Sequence, residues 1–321
     1  MSERWIGIDV SKTRLDLVAL PTGTHWTAPN SPDGWAAVSA QLQTDAPTGI
    51  VVEATGTYHV GVTVALDAVG LTPVVVNPLT LRRFAQSLGK RAKTDRLDAE
   101  VLARYGGQVR PPVRPVPDET ARQLQEVLTR YRQLTTMLAS EKTRRHTAAP
   151  LVQPSIDAHL AHLTEQRQQL LALLESLVAS DPFWAGRVTQ LTTVPGVGVL
   201  TATLLAVRLP ELGQATRQEV AALAGVAPYA CDSGSHRGTR RISGGRGAVR
   251  QALYQVMISA LRCNPVLAAH YRRLRAAHKP HKVAMIATMR RLLGLLNAML
   301  REGLRWEELR VVQGFSPPLS P

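Results

Sequence analysis

The sequence predicts two fold classes in one chain, an α/β region over residues 1–110 and an all-α remainder. Strand and helix signals alternate up to a proline-rich stretch at residues 111–117, and beyond it apolar residues recur at helical spacing. The chain has 321 residues, of which 45% are hydrophobic, so it is long enough for two domains with packed cores. Wholesale disorder is therefore excluded.

The first region is predicted to form a mixed sheet flanked by helices. Residues 4–10, 14–20 and 25–27 have the apolar and β-branched composition of three successive strands. Ser31-Pro32-Asp33 opens a helix, because serine caps a helix N-terminus and proline fits the first turn. Further strands are expected at residues 49–53 and 72–76, and further helices at residues 58–69, 79–88 and 94–106.

Beyond the prolines, apolar residues follow heptad-like steps of three and four. The first set is Leu124, Val127, Tyr131, Leu134 and Leu138, and a second set with compatible steps of seven, seven, three and four is Ile156, Leu163, Leu170, Leu173 and Leu177. This spacing indicates two helices that form an antiparallel hairpin or an intermolecular coiled coil, although helices packed on their own core fit equally well. We expect domains at residues 1–110, 111–180 and 181–310, with a tail at residues 311–321.

The charge is concentrated in the second half. Residues 1–180 hold 19 basic and 17 acidic groups, whereas residues 181–321 hold 19 and 7. A polyanion such as nucleic acid is the natural partner of the basic half, because each neutralised phosphate releases counterions. Arginine supplies 32 of the 38 basic residues, which suits phosphate binding but is also typical of a GC-rich genome.

The compartment is predicted from absent signals. No apolar run approaches the ~18 residues of a membrane span, and the first residues lack an apolar signal segment. Two cysteines, Cys231 and Cys263, cannot form a disulfide framework. We expect a cytoplasmic protein without a membrane.

Four carboxylates stand at positions that favour a metal site. Asp9 and Glu53 each end an apolar strand, and Asp95 and Asp98 share one face at the start of a helix. Oxygen ligands of this kind suit Mg²⁺ or Mn²⁺, and two ions roughly 4 Å apart are used in phosphodiester chemistry. Each acid could instead be a cap or turn residue, or pair on the surface with Lys93 or Arg96. Acids on strand one, strand four and a later helix are the arrangement of the RNase H-like fold.

The stretch from residue 225 to residue 250 is rich in glycine and arginine. Its only acid is Asp232, and Ser233 and Ser235 flank Gly234. A serine among arginines is a candidate nucleophile, because cations stabilise the alkoxide and the transition state. The alternative is a phosphate-binding loop in which the serines only donate hydrogen bonds and His236 is a contact and not a base. The arginines expected to bind nucleic acid are Arg237, Arg240, Arg241, Arg246 and Arg250.

A short glycine motif precedes an apolar helix at residues 199–207. It reads Pro195-Gly196-Val197-Gly198 and resembles a helix-hairpin-helix element, whose backbone N–H groups meet a phosphate. Gly196 and Gly198 are therefore candidate nucleic-acid contacts, although an ordinary turn before a buried helix explains the motif equally well.

Taken together, these motifs resemble the DEDD-type insertion-sequence transposases, the family described as bridge-RNA-guided recombinases. The resemblance runs from about residue 5 to residue 300. It includes Glu53-Ala54-Thr55-Gly56-Thr57-Tyr58 and Asp232-Ser233-Gly234-Ser235, beside the motifs around Asp9, Asp95 and Gly196. Further shared residues are Gly7-Ile8-Asp9-Val10-Ser11-Lys12 and Lys93-Thr94-Asp95-Arg96-Leu97-Asp98-Ala99.

The resemblance implies a RuvC-like (RNase H-like) N-terminal domain, a helical coiled-coil region and a helical C-terminal transposase domain. It further implies Mg²⁺, with Mn²⁺ as a substitute, at Asp9, Glu53, Asp95 and Asp98. Ser233 would attack DNA and form a phosphoserine link, in a site composed of the acids of one subunit and the serine of another. Implied partners are donor and target DNA, a structured noncoding guide RNA, and further subunits in a dimer that pairs into a tetramer. The expected location is prokaryotic cytoplasm, at the nucleoid.

The leading hypothesis from the sequence is thus a DNA transposase or recombinase. Two other hypotheses stay open. One is a RuvC-like, structure-selective endonuclease that cuts with metal-activated water and forms no adduct. The other is a non-catalytic nucleic-acid-binding scaffold with a degenerate nuclease fold.

Overall fold

The computed structural model describes residues 3–89, 94–234 and 237–313. The chain divides into two units, Met1–Pro117 and Asp118–Pro321. The predicted roles of Lys93, Ser235 and His236 fall outside the described residues.

The first unit is built on a five-stranded mixed sheet in the order β3-β2-β1-β4-β5. β1, β2 and β3 form an antiparallel meander, whereas β4 and β5 run parallel to β1. The predicted strands are confirmed with small shifts of their ends. The strands are β1 (Trp5–Val10), β2 (Arg14–Leu20), β3 (Thr24–Pro29), β4 (Gly49–Glu53) and β5 (Val74–Val76).

Helices cover both faces of this sheet. On one face, Ile6 and Ile8 of β1 pack with α1 (Pro32–Asp45) and α2 (Val60–Ala68). On the other face, Val51 of β4 packs with α3 (Pro78–Ser87) and α4 (Asp95–Val109). The alternation of side chains along each strand therefore gives the sheet two buried faces. As predicted, Ser31 caps α1, accepting a hydrogen bond from Gly34 N at 3.4 Å.

Gly7 allows α4 to lie directly on β1. A Cβ atom at Gly7 would be 2.0 Å from the carbonyl oxygen of Ala99 and 2.5 Å from the nitrogen of Ala103. A side chain would force the helix away, so glycine here sets the distance between strand and helix. This packing fixes where the first turn of α4 stands over the sheet.

The second unit begins with a long helical pair, α5 (Glu119–Thr147) and α6 (Gln153–Ser180). The two helices contact each other within the chain, with Leu134 and Leu138 of α5 packed against Leu163 of α6. Arg145 near the end of α5 pairs with Asp157 near the start of α6, so the helices are antiparallel. The predicted hairpin is thus present within one chain, and a coiled coil that joins subunits stays a prediction.

A helical bundle completes the second unit. Its longest member, α12 (His281–Glu302), is apolar enough to span a membrane by length and composition, yet 56% of its most apolar window is buried in the unit. Within the described residues it is the one helix of this kind, and Leu292, Leu293 and Leu296 place it in the core. The elements are α7 (Pro182–Thr192), α8 (Val199–Arg208), α9 (Arg217–Leu223), β6 (Pro228–Tyr229), β7 (Arg241–Ile242), α10 (Gly247–Cys263), α11 (Pro265–Ala276), α12 (His281–Glu302) and α13 (Trp306–Val312).

Candidate active site

Two of the four carboxylates end neighbouring parallel strands. The register of β1 and β4 pairs Gly7 with Val51 and Ile8 with Val52, so Asp9 and Glu53 follow at the same edge. Side chains two residues apart point to the same face of a sheet. Asp9 therefore shares the face of Gly7, and Glu53 that of Val51, which is the face that α4 covers.

The other two carboxylates lie in the first turn of α4. Thr94 caps this helix by accepting a hydrogen bond from Leu97 N at 3.3 Å, so the helix begins at Asp95 and Asp98 lies one turn on. Anionic side chains are favourable at a helix N-terminus. Because α4 rests on Gly7, its first turn stands on the same face of the sheet as Asp9.

The electrostatics of Asp9 show that the four acids act on each other. Burial, together with the negative charges of Glu53, Asp98 and Asp95, raises the pKa of Asp9 to about 7. The hydrogen bond from Val10 N to Asp9 Oδ1, at 3.0 Å, lowers the pKa and offsets only part of this. The ionised form of such a carboxyl group is unfavourable, and a nearby cation would stabilise it.

A basic side chain that the sequence reasoning missed lies beside these acids. Arg14 Nη2 donates to Asp95 Oδ2 at 2.6 Å, and Arg14 Nε donates to Asp16 Oδ2 at 2.8 Å. Asp16 is only 4% exposed, is the register partner of Asp9 on β2, and lies 3.2 Å from His25 Nε2. Only part of this contact had a signal in the sequence. Arg14 and Asp16 are two residues apart on one predicted strand and so share a face, whereas Asp95 reaches them only when α4 packs on the sheet.

The fit of a divalent cation can be judged from the donors. Four carboxylates offer only oxygen ligands, which is the chemistry that Mg²⁺ and Mn²⁺ prefer. Over the described ranges, however, no three His, Cys, Asp or Glu side chains already stand in a metal-binding arrangement, and Asp95 is held by Arg14. The donor type fits the ion, and the metal site itself stays a prediction.

The serine loop of the second unit is a small hairpin. β6 and β7 pair antiparallel through Tyr229 and Arg241, and Gly238 N donates to Asp232 Oδ1 at 3.0 Å. Ser233 follows Asp232 and is exposed, ahead of Gly234 at φ +55°. The positive φ explains the glycine, since the left-handed conformation is costly for other residues.

The five loop arginines fall into two groups. Arg246 forms two hydrogen bonds with Glu211, at 2.5 and 2.7 Å, and Arg250 donates to the carbonyl oxygens of Gly244 and Gly225 at 2.8 and 3.2 Å. Arg246, which was expected to bind nucleic acid, is thus already paired within the protein, with a carboxylate from outside the loop's own sequence. Arg237, Arg240 and Arg241 are exposed, and no ion pair to them occurs among described residues.

The two glycines of the predicted helix-hairpin-helix element have different surroundings. Gly196 has φ +96°, and a Cβ atom there would be 2.7 Å from Ala260 Cα, so close packing on α10 requires this glycine. Gly198 precedes α8 with open space around its Cα. The packing of Gly196 supports the ordinary-turn interpretation for that residue, and a phosphate contact at Gly198 stays a prediction.

A mixed sheet in this order, with acids at strand ends and on a covering helix, is consistent with a DEDD RNase H-like domain. Comparison with known families agrees. A DEDD transposase model of the IS110 type matches residues 6–154, and a model described as Transposase IS116/IS110/IS902 family matches residues 188–272. The chain therefore contains transposase domains of the IS110/IS116 family, a family of DNA recombination enzymes.

Relatives of this chain are known from three bacteria. Pilin gene-inverting proteins of Moraxella bovis and Moraxella lacunata are each 28% identical over 312 residues, which cover 94% of this chain and 97% of each relative. A 43.6 kDa protein of insertion element IS110 from Streptomyces coelicolor is 32% identical over 159 residues. That match covers 49% of this chain and 38% of the relative.

Proposed function

We propose that this protein is a DNA recombinase that cuts and rejoins DNA through a covalent link to Ser233. The acids Asp9, Glu53, Asp95 and Asp98 would hold Mg²⁺, or Mn²⁺ in its place. The observation that carries the proposal is the placement of these acids, two at the ends of neighbouring parallel strands and two in the first turn of the helix that covers that face. Burial, and after it the negative charges of the other three acids, raises the pKa of Asp9 to about 7, which agrees with this placement. The family match and the relatives named for gene inversion support DNA recombination as the class of reaction.

The acids alone would repel the phosphates of DNA. A divalent cation bound by them would neutralise that repulsion and the charge that develops on the phosphate oxygens during strand transfer. Arg14 would leave Asp95 or shift toward Asp16 when the cation binds, because one carboxylate oxygen cannot serve both at close range. The acids on β1, β4 and α4 therefore supply the negative charge for the cation, and Gly7 allows α4 to lie close to β1.

The serine step is a transesterification. Ser233 Oγ would lose its proton and form a bond to phosphorus, while the phosphorus bond to one bridging oxygen of the DNA strand breaks and that oxygen gains a proton. Attack by a hydroxyl of the new partner strand would then release Ser233 and restore the phosphodiester. Exposure of Ser233 in an arginine-rich loop supports this role.

Guide RNA and subunit assembly complete the proposal. The basic residues of the second half of the chain would contact phosphates, and base pairing with a structured noncoding RNA would select the donor and target DNA. Dimers that pair into tetramers would bring two DNA molecules together. Met137 of α5 and Leu173 of α6 are 43% and 46% exposed, and such apolar positions on a helical hairpin support contact with another subunit.

The test is a search for a denaturant-resistant protein–DNA adduct on labelled DNA with Mg²⁺ and the flanking RNA. We expect the adduct with the unaltered protein and its loss in Ser233→Ala, with DNA binding retained. Ser243→Ala is the matched control, since Ser243 is an exposed serine of the same loop. An undiminished adduct in Ser233→Ala would contradict the assignment, and its loss in Ser235→Ala alone would transfer the role.

A second candidate function is an endonuclease in which a metal-activated water cuts DNA. The acid cluster favours it equally, because that chemistry needs no serine. Cleavage that survives in Ser233→Ala and disappears in Asp9→Ala would favour the endonuclease. DNA binding without any strand cleavage, unaffected by Mg²⁺ or by Asp9→Ala, would favour a non-catalytic scaffold.

A further inference from the structure

A second group of arginines lies in the bundle of the second unit, outside the serine loop. Arg291 and Arg301 of α12, together with Arg217 of α9, line a pocket of about 310 Å³. Arg291, Gly294, Ala298 and Arg301 are spaced by three, four and three residues, so they lie along one face of α12. The pocket is thus lined by the guanidinium groups of Arg217, Arg291 and Arg301, which we call the arginine row.

Gly294 makes room for one of these groups. The side chain of Arg217 crosses α12 at this position, because a Cβ atom at Gly294 would be 3.1 Å from Arg217 Nε and 3.5 Å from Cγ and Cδ. The side chain of Arg217 therefore lies over Gly294 and lines the same pocket as Arg291 and Arg301.

Buried polar contacts fix the segment that carries Arg217. Asn297 is 2% exposed, accepts a hydrogen bond from Gly213 N at 2.6 Å and donates to Ala215 O at 3.0 Å. Arg301 Nη2 donates to the same Ala215 oxygen at 2.6 Å. The start of α9 is therefore tied to α12, and the row does not depend on a free loop.

The row is a concentration of positive charge. Burial lowers the pKa of Arg291, and the positive charges of Arg273 and Arg217 lower it further. Within the described part of the chain no ion pair to Arg217, Arg273 or Arg301 is found, and Glu219, the acid of α9, is engaged by Thr216 at 2.8 Å. Positive charges held this close together favour a bound anion.

We propose that this arginine row binds the phosphates of duplex DNA at a contact separate from the serine loop. Arg291 and Arg301 are ten residue steps apart, or ~15 Å along the helix axis, whereas one DNA strand carries a phosphate every ~3.4 Å along the duplex axis. The row is therefore long enough for several phosphates and is oversized for a single inorganic ion. This inference rests on the proposed function, since it assumes that duplex DNA is the substrate.

The experiment measures binding of the full chain to a labelled duplex over a range of salt concentrations. EDTA keeps strand cleavage out of the measurement. We expect Arg217→Ala and Arg301→Ala each to reduce the slope of log K against log salt by about one, the value for one lost phosphate contact. Gly294→Leu should weaken binding without any change of charge, because its side chain would fill the space that Arg217 occupies.

Arg145→Ala is the matched control, since it also removes one arginine of the second unit, but one already paired with Asp157. Its slope should equal that of the unaltered protein. Equal slopes for Arg217→Ala, Arg301→Ala and this control would overturn the row as a DNA contact. Arg217 is exposed at the start of α9, so its alanine variant is expected to fold and to keep the test decisive.

Further arms separate the possible failures. If inorganic phosphate raises the melting temperature of the unaltered protein but not of Arg217→Ala, while the duplex slopes stay equal, the pocket binds a free anion and the DNA proposal is wrong. A loss confined to single-stranded RNA would likewise overturn it. If the unaltered protein binds no duplex either with or without the flanking RNA, the recombinase proposal fails as a whole, whereas adduct formation with unchanged slopes removes this row alone.

Discussion

Arg14 joins β2 to the first turn of α4 through a hydrogen bond of 2.6 Å to Asp95 Oδ2. The same guanidinium donates to the buried Asp16 at 2.8 Å, and these two acids raise its pKa. Arg14 therefore supplies positive charge to Asp95 at the acid face of the sheet. A divalent ion and Arg14 would compete for the carboxylate of Asp95.

Replacing Arg14 should separate these two roles. In Arg14→Ala, Asp16 and Asp95 lose the guanidinium that pairs with them, so we expect a lower melting temperature in EDTA than that of the unaltered protein. The rise in melting temperature on addition of Mg²⁺ should be larger, because the ion no longer displaces a guanidinium. Arg104→Ala is the control, since Arg104 lies on α4 and pairs with Glu100. An equal or smaller Mg²⁺ response in Arg14→Ala would contradict the competition.

The pH dependence of Mg²⁺ binding should follow Asp9. Its pKa is raised from 3.8 to about 7, so the folded protein favours the protonated form. The contribution of Asp9 to stability is present below pH 3.8 and is lost as pH rises toward 7. A cation must displace this proton, so the Mg²⁺-induced rise in melting temperature should grow between pH 6 and pH 8.

Asp9→Asn supplies the control for this pH dependence, because asparagine keeps the shape but has no proton to lose. The variant should give a small Mg²⁺ response that is the same at pH 6 and pH 8. If the unaltered protein also responds equally at both pH values, Asp9 is not the group whose proton the ion displaces. Thermal unfolding with Mg²⁺ and with EDTA at each pH provides the measurement.

Close packing at Gly7 should be essential for the first unit. A Cβ atom would meet the backbone of Ala99 at 2.0 Å, and a helix backbone cannot yield as a flexible side chain can. We expect Gly7→Ala to lower the free energy of unfolding by about 1–3 kcal/mol or more, as overpacked cores do. It should also weaken the Mg²⁺ response, because α4 carries Asp95 and Asp98.

Gly186→Ala is the contrasting substitution, since Gly186 lies within α7 and a Cβ atom there meets nothing within 4 Å. It should raise stability by about 0.5–1 kcal/mol, because alanine is the better helix former. Denaturant unfolding compares the two variants. Equal effects of the two substitutions would show that packing of β1 on α4 is looser than the structure indicates.

The strands and helices of the first unit followed from local signals. Alternating apolar runs gave β1, β2 and β4, and Ser31 with Pro32 gave the start of α1, because caps and periodicity are properties of neighbouring residues. Asp9 and Glu53 were expected together from the order of strands and acids in the RNase H-like fold, and the parallel pairing of β1 and β4 puts both at one edge of the sheet. Arg14 was missed, because its partners Asp16 and Asp95 come together only after β2 and α4 pack.

The second unit was less predictable for the same reason. Heptad spacing indicated α5 and α6, yet it could not decide between pairing within the chain and pairing between subunits. The row formed by Arg217, Arg291 and Arg301 joins residues more than seventy positions apart, and no local pattern records that the side chain of Arg217 crosses Gly294. Such contacts between distant segments are set by helix packing.

The loop arginines should divide by function as they divide by contact. Arg240→Ala should reduce the salt slope of DNA binding by about one and leave stability unchanged, because Arg240 is exposed. Arg246→Ala should instead lower the free energy of unfolding by about 1–2 kcal/mol, since it breaks the double hydrogen bond to Glu211 in a partly buried setting. Glu211→Gln should destabilise similarly, and the double variant should cost less than the sum. A salt slope that changes in Arg246→Ala as much as in Arg240→Ala would show that Arg246 leaves Glu211 to bind phosphate.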